Sequence, residues 1–140
     1  MKKTIFFFVA LLCTTAMHAQ AEQPAAKKGA AISFTETTHN FGIFDVEHGT
    51  QTCHFVFTNT GSETLIISDA YASCGCTIPE FPKTGILPGE KDSITVTYNG
   101  ATRRPGVFRK VVTVTFNGPT ADSSLARIYI TGEMVENKPE

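Results

Sequence analysis

The residues best suited to chemistry are two cysteines in the stretch 73–77, which reads SCGCT. Cys74 and Cys76 are separated only by Gly75. In an extended strand, residues i and i+2 face the same side with Cα atoms about 6.6 Å apart, whereas disulfides favour a Cα separation of about 5.5–6 Å. A disulfide between the pair therefore requires a bend, which glycine permits. Such a bond would be strained and easily reduced, so it would be a redox group more than a staple.

The same two cysteines could instead hold a soft metal ion. Two thiolates on one face of a short segment form a pincer for Cu(I), which accepts two or three such ligands. A structural Zn site requires four ligands, so Cys53 and a histidine would have to converge on Cys74 and Cys76. The candidate histidines are His39, His48 and His54.

Cys53 supports a third interpretation, a structural bond to Cys74 or Cys76 that leaves one thiol free. It shares the parity of Phe55 and Phe57, so we expect it to point into the core as a small buried side chain. The sequence has four cysteines, of which Cys13 lies in the expected signal peptide described below, so three remain in the mature chain. An odd number outside the cytoplasm leaves at least one thiol unpaired, bound to a metal or bridged to another chain. The residues alone leave the structural, metal and redox alternatives open.

The first 21 residues have the order of a secretory signal peptide. A basic start with Lys2 and Lys3 precedes an apolar run and a small-residue ending, which predicts cleavage after Ala19 or Ala21. The apolar run is too short to span a bilayer. We therefore expect the mature protein in the periplasm or outside the cell, in an oxidising compartment where disulfides persist.

The residues that position these cysteines alternate between apolar and polar side chains. Residues 22–31 are small and polar, which predicts a flexible tether. From Ile32 onward, β-branched and aromatic residues recur with a period of two, which puts one set on a core face and the other toward solvent. The clearest runs are 53–58, 93–99, 110–117 and 125–131.

Turn-forming segments with glycine or proline separate these runs. About seven strands in roughly a hundred residues predict an all-β fold, an immunoglobulin-like antiparallel β-sandwich. We assign it to residues 32–135 and treat residues 136–140 as a polar tail. The predicted core comprises Phe41, Phe44, Phe55, Phe57, Leu65, Ile67, Ile94, Val96, Tyr98, Val112, Val114, Phe116, Ile128 and Ile130.

Charge and motif content narrow the function classes. The formal net charge is −1 and becomes −3 when Lys2 and Lys3 are removed, so there is no electrostatic footprint for nucleic acid. No apolar run in the mature chain is long enough for a membrane span. A basic group at 103–110 could meet an acidic partner, but a solvated strand end explains it as well. No hydrolase, zinc-protease or phosphate-loop motif occurs, so we expect no enzymatic activity.

The order of short motifs resembles a known family. NTG at 59–61, SCGCT at 73–77 and LPG at 87–89 follow one another as in the secreted bacterial family called domain of unknown function 1573. The resemblance extends from His39 to Glu133. It implies an immunoglobulin-like fold, similar to domains of some ciliary and centrosomal proteins, and no established activity. The family's cysteine motif falls on Cys74 and Cys76, and Cys53 lies outside it.

A looser similarity bears on the metal alternative. Copper-delivery proteins for cytochrome oxidase also carry a Cys-x-Cys pair on an immunoglobulin-like fold and hold Cu(I) with it, although their middle residue is phenylalanine where this chain has Gly75. The favoured function is an exported, non-enzymatic binding or structural module with an unknown protein partner, which could add a strand to an exposed sheet edge. The alternative is a thiol-based site at Cys74 and Cys76 that binds Cu(I) or Zn, or exchanges disulfides.

Overall fold

The computed structural model describes residues 27–136. The predicted signal peptide and residues 137–140 of the predicted tail lie outside this range. The described residues form eight strands, joined by turns and by two short 3-10 helices at Val46–His48 and Asp122–Ser124. The strands are β1 (Ile32–Phe34), β2 (Thr38–Asp45), β3 (Thr50–Asn59), β4 (Ile67–Ala72), β5 (Thr77–Glu80), β6 (Lys91–Asn99), β7 (Gly106–Phe116) and β8 (Leu125–Val135).

The strands build two four-stranded sheets that enclose one core. The first sheet has the order β1-β3-β6-β5, and the second has the order β2-β8-β7-β4. The predicted all-β sandwich is confirmed. One pair differs from the predicted antiparallel arrangement, because β2 runs parallel to β8. The chain leaves β1 at the edge of the first sheet and enters the second sheet in the direction of β8, so the pair begins where the Tyr129 N–H donates to the Thr37 carbonyl (2.8 Å).

The core follows the alternation seen in the sequence. All predicted core residues except Phe41 are buried. Phe41 is only half-buried because it lies in a register shift of β2 between Asn40 and Ile43, where Gly42 has a φ of 70°. Strict alternation ends at such a bulge. The core also contains residues that the sequence did not predict, namely Ala30, Ala70, Cys76, Ile86, Phe108 and Met134.

An aromatic cluster fills one part of the core. The ring of Tyr98 stacks on that of Phe108, with centroids 4.1 Å apart and planes 8° apart. Phe44 meets both rings edge-on, at 6.4 and 6.0 Å. A Cβ atom on Gly132 would lie 2.9 Å from the Phe108 ring. Glycine at this position of β8 therefore makes room for a ring from the neighbouring strand.

The segment before β1 packs more closely than predicted. Residues 27–31 were expected to belong to an unpacked tether, yet Ala30 is 1% exposed and Lys27 pairs with Gly61. A Cβ atom on Gly61 would collide with the Gly29 carbonyl oxygen. The segment is thus held through backbone contacts over a glycine, and such contacts leave no apolar pattern in the sequence.

Candidate functional site

The SCGC stretch crosses from one sheet to the other. It leaves β4 at the edge of the second sheet and enters β5 at the edge of the first. The backbone turns at this point, because the Thr77 N–H donates to the Cys74 carbonyl (3.2 Å). The Asn99 N–H then donates to the Cys76 carbonyl (2.7 Å) and starts the pairing of β5 with β6. Apart from its chain neighbours Cys74 and Cys76, nothing lies within 4 Å of the place where a Cβ atom on Gly75 would be.

The turn joins Cys74 and Cys76 in a disulfide. Their Cα atoms are 5.3 Å apart, well below the separation of two such residues in an extended strand. The two sulfurs have different surroundings, because Cys76 is 3% exposed and Cys74 is only half-buried. The Cys76 N–H donates to the Cys74 Sγ (3.3 Å), and the Thr77 hydroxyl oxygen lies 4.0 and 3.9 Å from the sulfurs of Cys74 and Cys76.

The third thiol lies apart from this bond. Cys53 faces the core from β3, is 4% exposed and is a free cysteine. Burial raises the pKa of the Cys53 thiol from 9.0 to about 11. The thiolate is the reactive form of cysteine, so Cys53 is held in its unreactive state at neutral pH. It takes no part in a bond to Cys74 or Cys76.

The raised pKa of Cys53 predicts a loss of stability in alkali. The unfolded chain releases this proton near pH 9.0 and the folded protein near pH 11, so the stabilisation is complete below pH 9 and is lost as the pH rises through 11. We expect the free energy of unfolding to fall by roughly 2–3 kcal/mol across this window. Urea unfolding of the wild type and of Cys53→Ala at pH 8 to 11 measures the difference. Burial also raises the pKa of Tyr98, against the opposite effect of the Arg103 charge, and this contribution to the pH dependence is common to both proteins. Equal slopes of the free energy of unfolding against pH for the wild type and Cys53→Ala would therefore contradict the prediction.

The structure gives the metal alternative no support. The described residues contain no group of three or more His, Cys, Asp or Glu side chains that could hold an ion. The candidate histidines do not converge on the cysteine pair. The His54 Nδ1 lies 3.0 Å from the Thr95 hydroxyl, and His39 packs edge-on against Phe41 at 4.8 Å. His48 is exposed in the first 3-10 helix. A zinc site of four ligands does not assemble from these positions.

The predicted basic group is divided between two directions. Arg103 and Arg104 lie in the exposed turn before β7. Arg109 stacks on the Tyr129 ring, with its guanidinium carbon 4.4 Å from the centroid. Lys110 has the opposite parity on β7. A single basic patch therefore does not form.

Three shallow surface depressions have volumes of about 210, 250 and 440 Å³. None of the three is lined by a described histidine or cysteine. Within residues 27–136, no helix is long and apolar enough to cross a bilayer. The features left to consider as candidate functional sites are the cysteine crossover and the edges of the two sheets.

Most of the sheet edges are short or interrupted. β1 has three residues, and β2 is broken by the bulge at Gly42. In β5, the Thr77 N–H is already used by the Cys74 carbonyl, and Pro79 has no N–H to donate. Proline and bulges at edges prevent pairing with other chains. These three edges are therefore poor places for another strand.

The edge of β4 next to the crossover is different. After a register shift between Ile67 and Asp69, residues 69–72 pair regularly with β7. The Thr115 carbonyl faces β4, where it accepts the Ser68 hydroxyl (3.2 Å). Backbone groups alternate along a strand, so Thr113 also faces β4 and bonds its partner Tyr71.

It follows that Ala70 and Ala72 direct their N–H and C=O groups outward from the sheet. Both lie between positions whose backbone groups serve the pairing with β7. Beside them, the side chains of Tyr71 and Ile66 are 53% and 49% exposed. This edge therefore offers an extended peptide both backbone groups for hydrogen bonds and exposed side chains for contact.

The sequence matches the family described as Protein of unknown function (DUF1573) over residues 32–134. The chain belongs to this family. The match confirms the resemblance seen in the order of motifs, and it places the cysteine crossover inside the DUF1573 domain. No curated protein matches the sequence.

Solved structures similar to this DUF1573 domain share its fold at low identity. A protein of unknown function from Porphyromonas gingivalis W83 has a TM-score of 0.64 at 16% identity, and the match covers 80% of this chain and 50% of that one. The ASH / PapD-like domain 7 of human CEP192 has a TM-score of 0.57 at 10% identity, with 98% and 99% covered. The periplasmic chaperone SfaE has a TM-score of 0.55 at 9% identity, with 78% and 60% covered. The chain thus spans half the length of the first of these proteins.

The open edge of the DUF1573 domain was missed by the sequence reasoning. An edge is defined by which strands pair, and Ala70 and Ala72 look like ordinary strand residues. In the sequence, only Pro79 indicates an edge, because proline within a strand-like run is typical of an edge strand. That signal identifies β5, and the neighbouring edge of β4 follows only from the topology.

Proposed function

We propose that this chain is an exported, non-enzymatic binding module that adds an extended segment of a partner protein to the open edge of β4. The observation that carries the proposal is the regular pairing of residues 69–72 with β7, which leaves the backbone groups of Ala70 and Ala72 facing outward. In strand addition, main-chain hydrogen bonds supply affinity and alternate side-chain contacts supply specificity. Tyr71 and Ile66 provide exposed side chains for the second part.

Export is supported by the order of the first 21 residues and by the disulfide. A basic start, an apolar run and small residues before the expected cut are typical of a secretory signal. A Cys74–Cys76 disulfide persists in an oxidising compartment such as the periplasm. Intact mass of the protein from its own compartment gives the cleavage site directly.

A non-enzymatic role agrees with the surroundings of His39, His54 and Cys53. His54 lies at hydrogen-bonding distance from a threonine hydroxyl, and His39 is packed against aromatic rings. Cys53 is buried and protonated at neutral pH. A nucleophile needs an adjacent base that a third group orients. His54 and His39 contact other side chains instead, and Cys53 is a buried free cysteine.

Ala72→Pro is expected to weaken partner binding at least about tenfold while the domain stays folded. Proline removes an N–H that faces outward, so it deletes a bond to the partner and none to β7. Ala72→Ser keeps the N–H and is the matched control. A photo-crosslinking residue at position 71 in the exporting cell reports binding, and the same residue at position 56, on the outer face of the other sheet, reports background.

The expected result is a discrete crosslinked adduct from position 71 and none from position 56. Ala72→Ser should keep the adduct from position 71. Ala72→Pro should reduce its yield at least about tenfold, which corresponds to the loss of about one good hydrogen bond. An unchanged adduct in Ala72→Pro would contradict strand addition at β4. An identical adduct from position 56 would show that contact is not confined to this edge. Circular dichroism of each variant confirms that the sandwich is intact.

A further inference from the structure

We propose that the Cys74–Cys76 disulfide is a thiol–disulfide exchange site that oxidises a pair of thiols on another protein, and that the sulfur of Cys74 is the atom attacked. The exchange consumes one Cys74–Cys76 disulfide per partner, so it is a stoichiometric reaction and not enzymatic turnover, and it is separate from strand binding at β4. Three observations support it: the unequal exposure of the two sulfurs, the hydrogen bond to one of them and the open space beside Gly75.

Unequal exposure decides which sulfur an incoming thiolate can reach. Cys74 is half-buried, whereas Cys76 is 3% exposed and packs in the core. Exchange requires the thiolate to approach a disulfide sulfur directly, so access selects the target. Apart from its chain neighbours Cys74 and Cys76, nothing lies within 4 Å of the position of a Cβ atom on Gly75. The outer side of the crossover at Gly75 is therefore not covered by other parts of the domain.

Each sulfur that leaves as a thiolate has a polar group beside it, the Thr77 hydroxyl for Cys76 in the first step and the Cys76 N–H for Cys74 in the second. The Cys76 N–H donates to the Cys74 Sγ (3.3 Å), and a backbone donor of this kind stabilises a thiolate. The Thr77 hydroxyl oxygen lies 3.9 Å from the Cys76 Sγ, where it can turn its proton toward the sulfur that leaves. Cys53 is buried on β3 and does not compete.

The exchange proceeds in two balanced steps. A thiolate of the partner attacks the Cys74 Sγ, which forms a mixed disulfide and breaks the Cys74–Cys76 bond, and Cys76 leaves as a thiolate that takes a proton from water. The second thiolate of the partner then attacks the partner sulfur of the mixed disulfide and releases Cys74 as a thiolate. The partner loses two electrons and becomes a disulfide, and the two cysteines gain those electrons.

The test uses the folded protein with Cys53→Ala, so that only the pair can react. A reduced peptide with two cysteines is mixed with it in equal amount, acid-quenched and analysed by mass. We expect the peptide to lose the mass of two hydrogen atoms, which is two protons and two electrons, while Cys74 and Cys76 become free thiols. A single-thiol peptide of matched sequence should instead stop at a mixed disulfide, and peptide mapping should place it on Cys74. The same reaction with free cysteine shows whether a small thiol, and not a protein dithiol, is the natural source of the electrons.

Two single variants measure the asymmetry independently. In Cys76→Ser the remaining Cys74 thiol should be alkylated at least about tenfold faster than the Cys76 thiol in Cys74→Ser, because thiol reactivity follows exposure and thiolate stabilisation. Both rates are compared with those in urea, where the difference should vanish.

The proposal fails if the native protein does not oxidise the dithiol peptide while the urea-unfolded protein does. It also fails if the adduct forms on Cys76, or if free cysteine reduces the bond as fast as the dithiol peptide does.

Discussion

Asn59→Ala is expected to lower the free energy of unfolding by about 2–4 kcal/mol, because several groups lose a buried partner and each such loss costs about 1–3 kcal/mol. Asn59 is fully buried at the end of β3. Its Nδ2 donates to the carbonyls of Glu63 (2.8 Å) and Ile86 (2.9 Å), and its Oδ1 accepts from the Gly61 N–H (2.9 Å). One side chain thus joins β3, the turn after it and the segment before β6. Urea unfolding followed by circular dichroism measures the change.

Asn99→Ala is the matched control for this prediction. Asn99 also ends a strand and accepts a hydrogen bond from a backbone N–H two residues on, that of Ala101 (3.2 Å), but it is exposed. Water replaces the lost partner at an exposed site, so we expect a change below about 0.5 kcal/mol. Equal losses for the two variants would show that burial of the amide does not matter.

Phe108→Ala is expected to cost about 3–5 kcal/mol, the range for removal of a buried phenylalanine ring. Phe108 is 9% exposed, stacks on Tyr98 and meets Phe44 edge-on. Its loss would leave a cavity over Gly132, which has no side chain to fill it. Thermal and urea unfolding measure the loss of stability.

Val107→Ala tests the same strand on its other face. Val107 precedes Phe108 and is 81% exposed, so its truncation should change the free energy of unfolding by no more than about 0.5 kcal/mol. A large effect at both positions would mean that β7 itself is perturbed. A small effect at both would mean that the aromatic cluster does not stabilise the fold.

The sequence predicted the architecture from its period of two, and the two residues with the largest expected effects show where that method ends. Phe108 lies before the clearest alternating run, in a stretch where arginine, glycine and proline obscure the pattern. Asn59 is polar, so no apolar period marks it as buried. Its role comes from four partners that lie 2, 4, 27 and 28 residues away. Periodicity reports which face a residue occupies and does not report what a buried amide contacts.

The cysteine pair shows a different limit. Gly75 permits both an extended path and a turn, so the spacing alone left metal, redox and structural alternatives open. The turn depends on the Thr77 N–H donating to the Cys74 carbonyl and on the crossover between sheets, which are properties of the fold. The unequal burial of Cys74 and Cys76 has the same origin, since one sulfur faces the core and the other the rim.

The parallel pairing of β2 with β8 has a consequence for the order in which the chain folds. The hydrogen bond from the Thr131 hydroxyl to the His39 carbonyl joins residues 92 positions apart, and β8 separates β2 from β7 in the sheet. Until the last strand is available, β2 has no neighbour in its own sheet. Closing so long a loop carries an entropic cost before any contact repays it, so folds of this kind form slowly. During synthesis or export, β2 must therefore wait, unpaired, for the arrival of the eleven-residue strand β8.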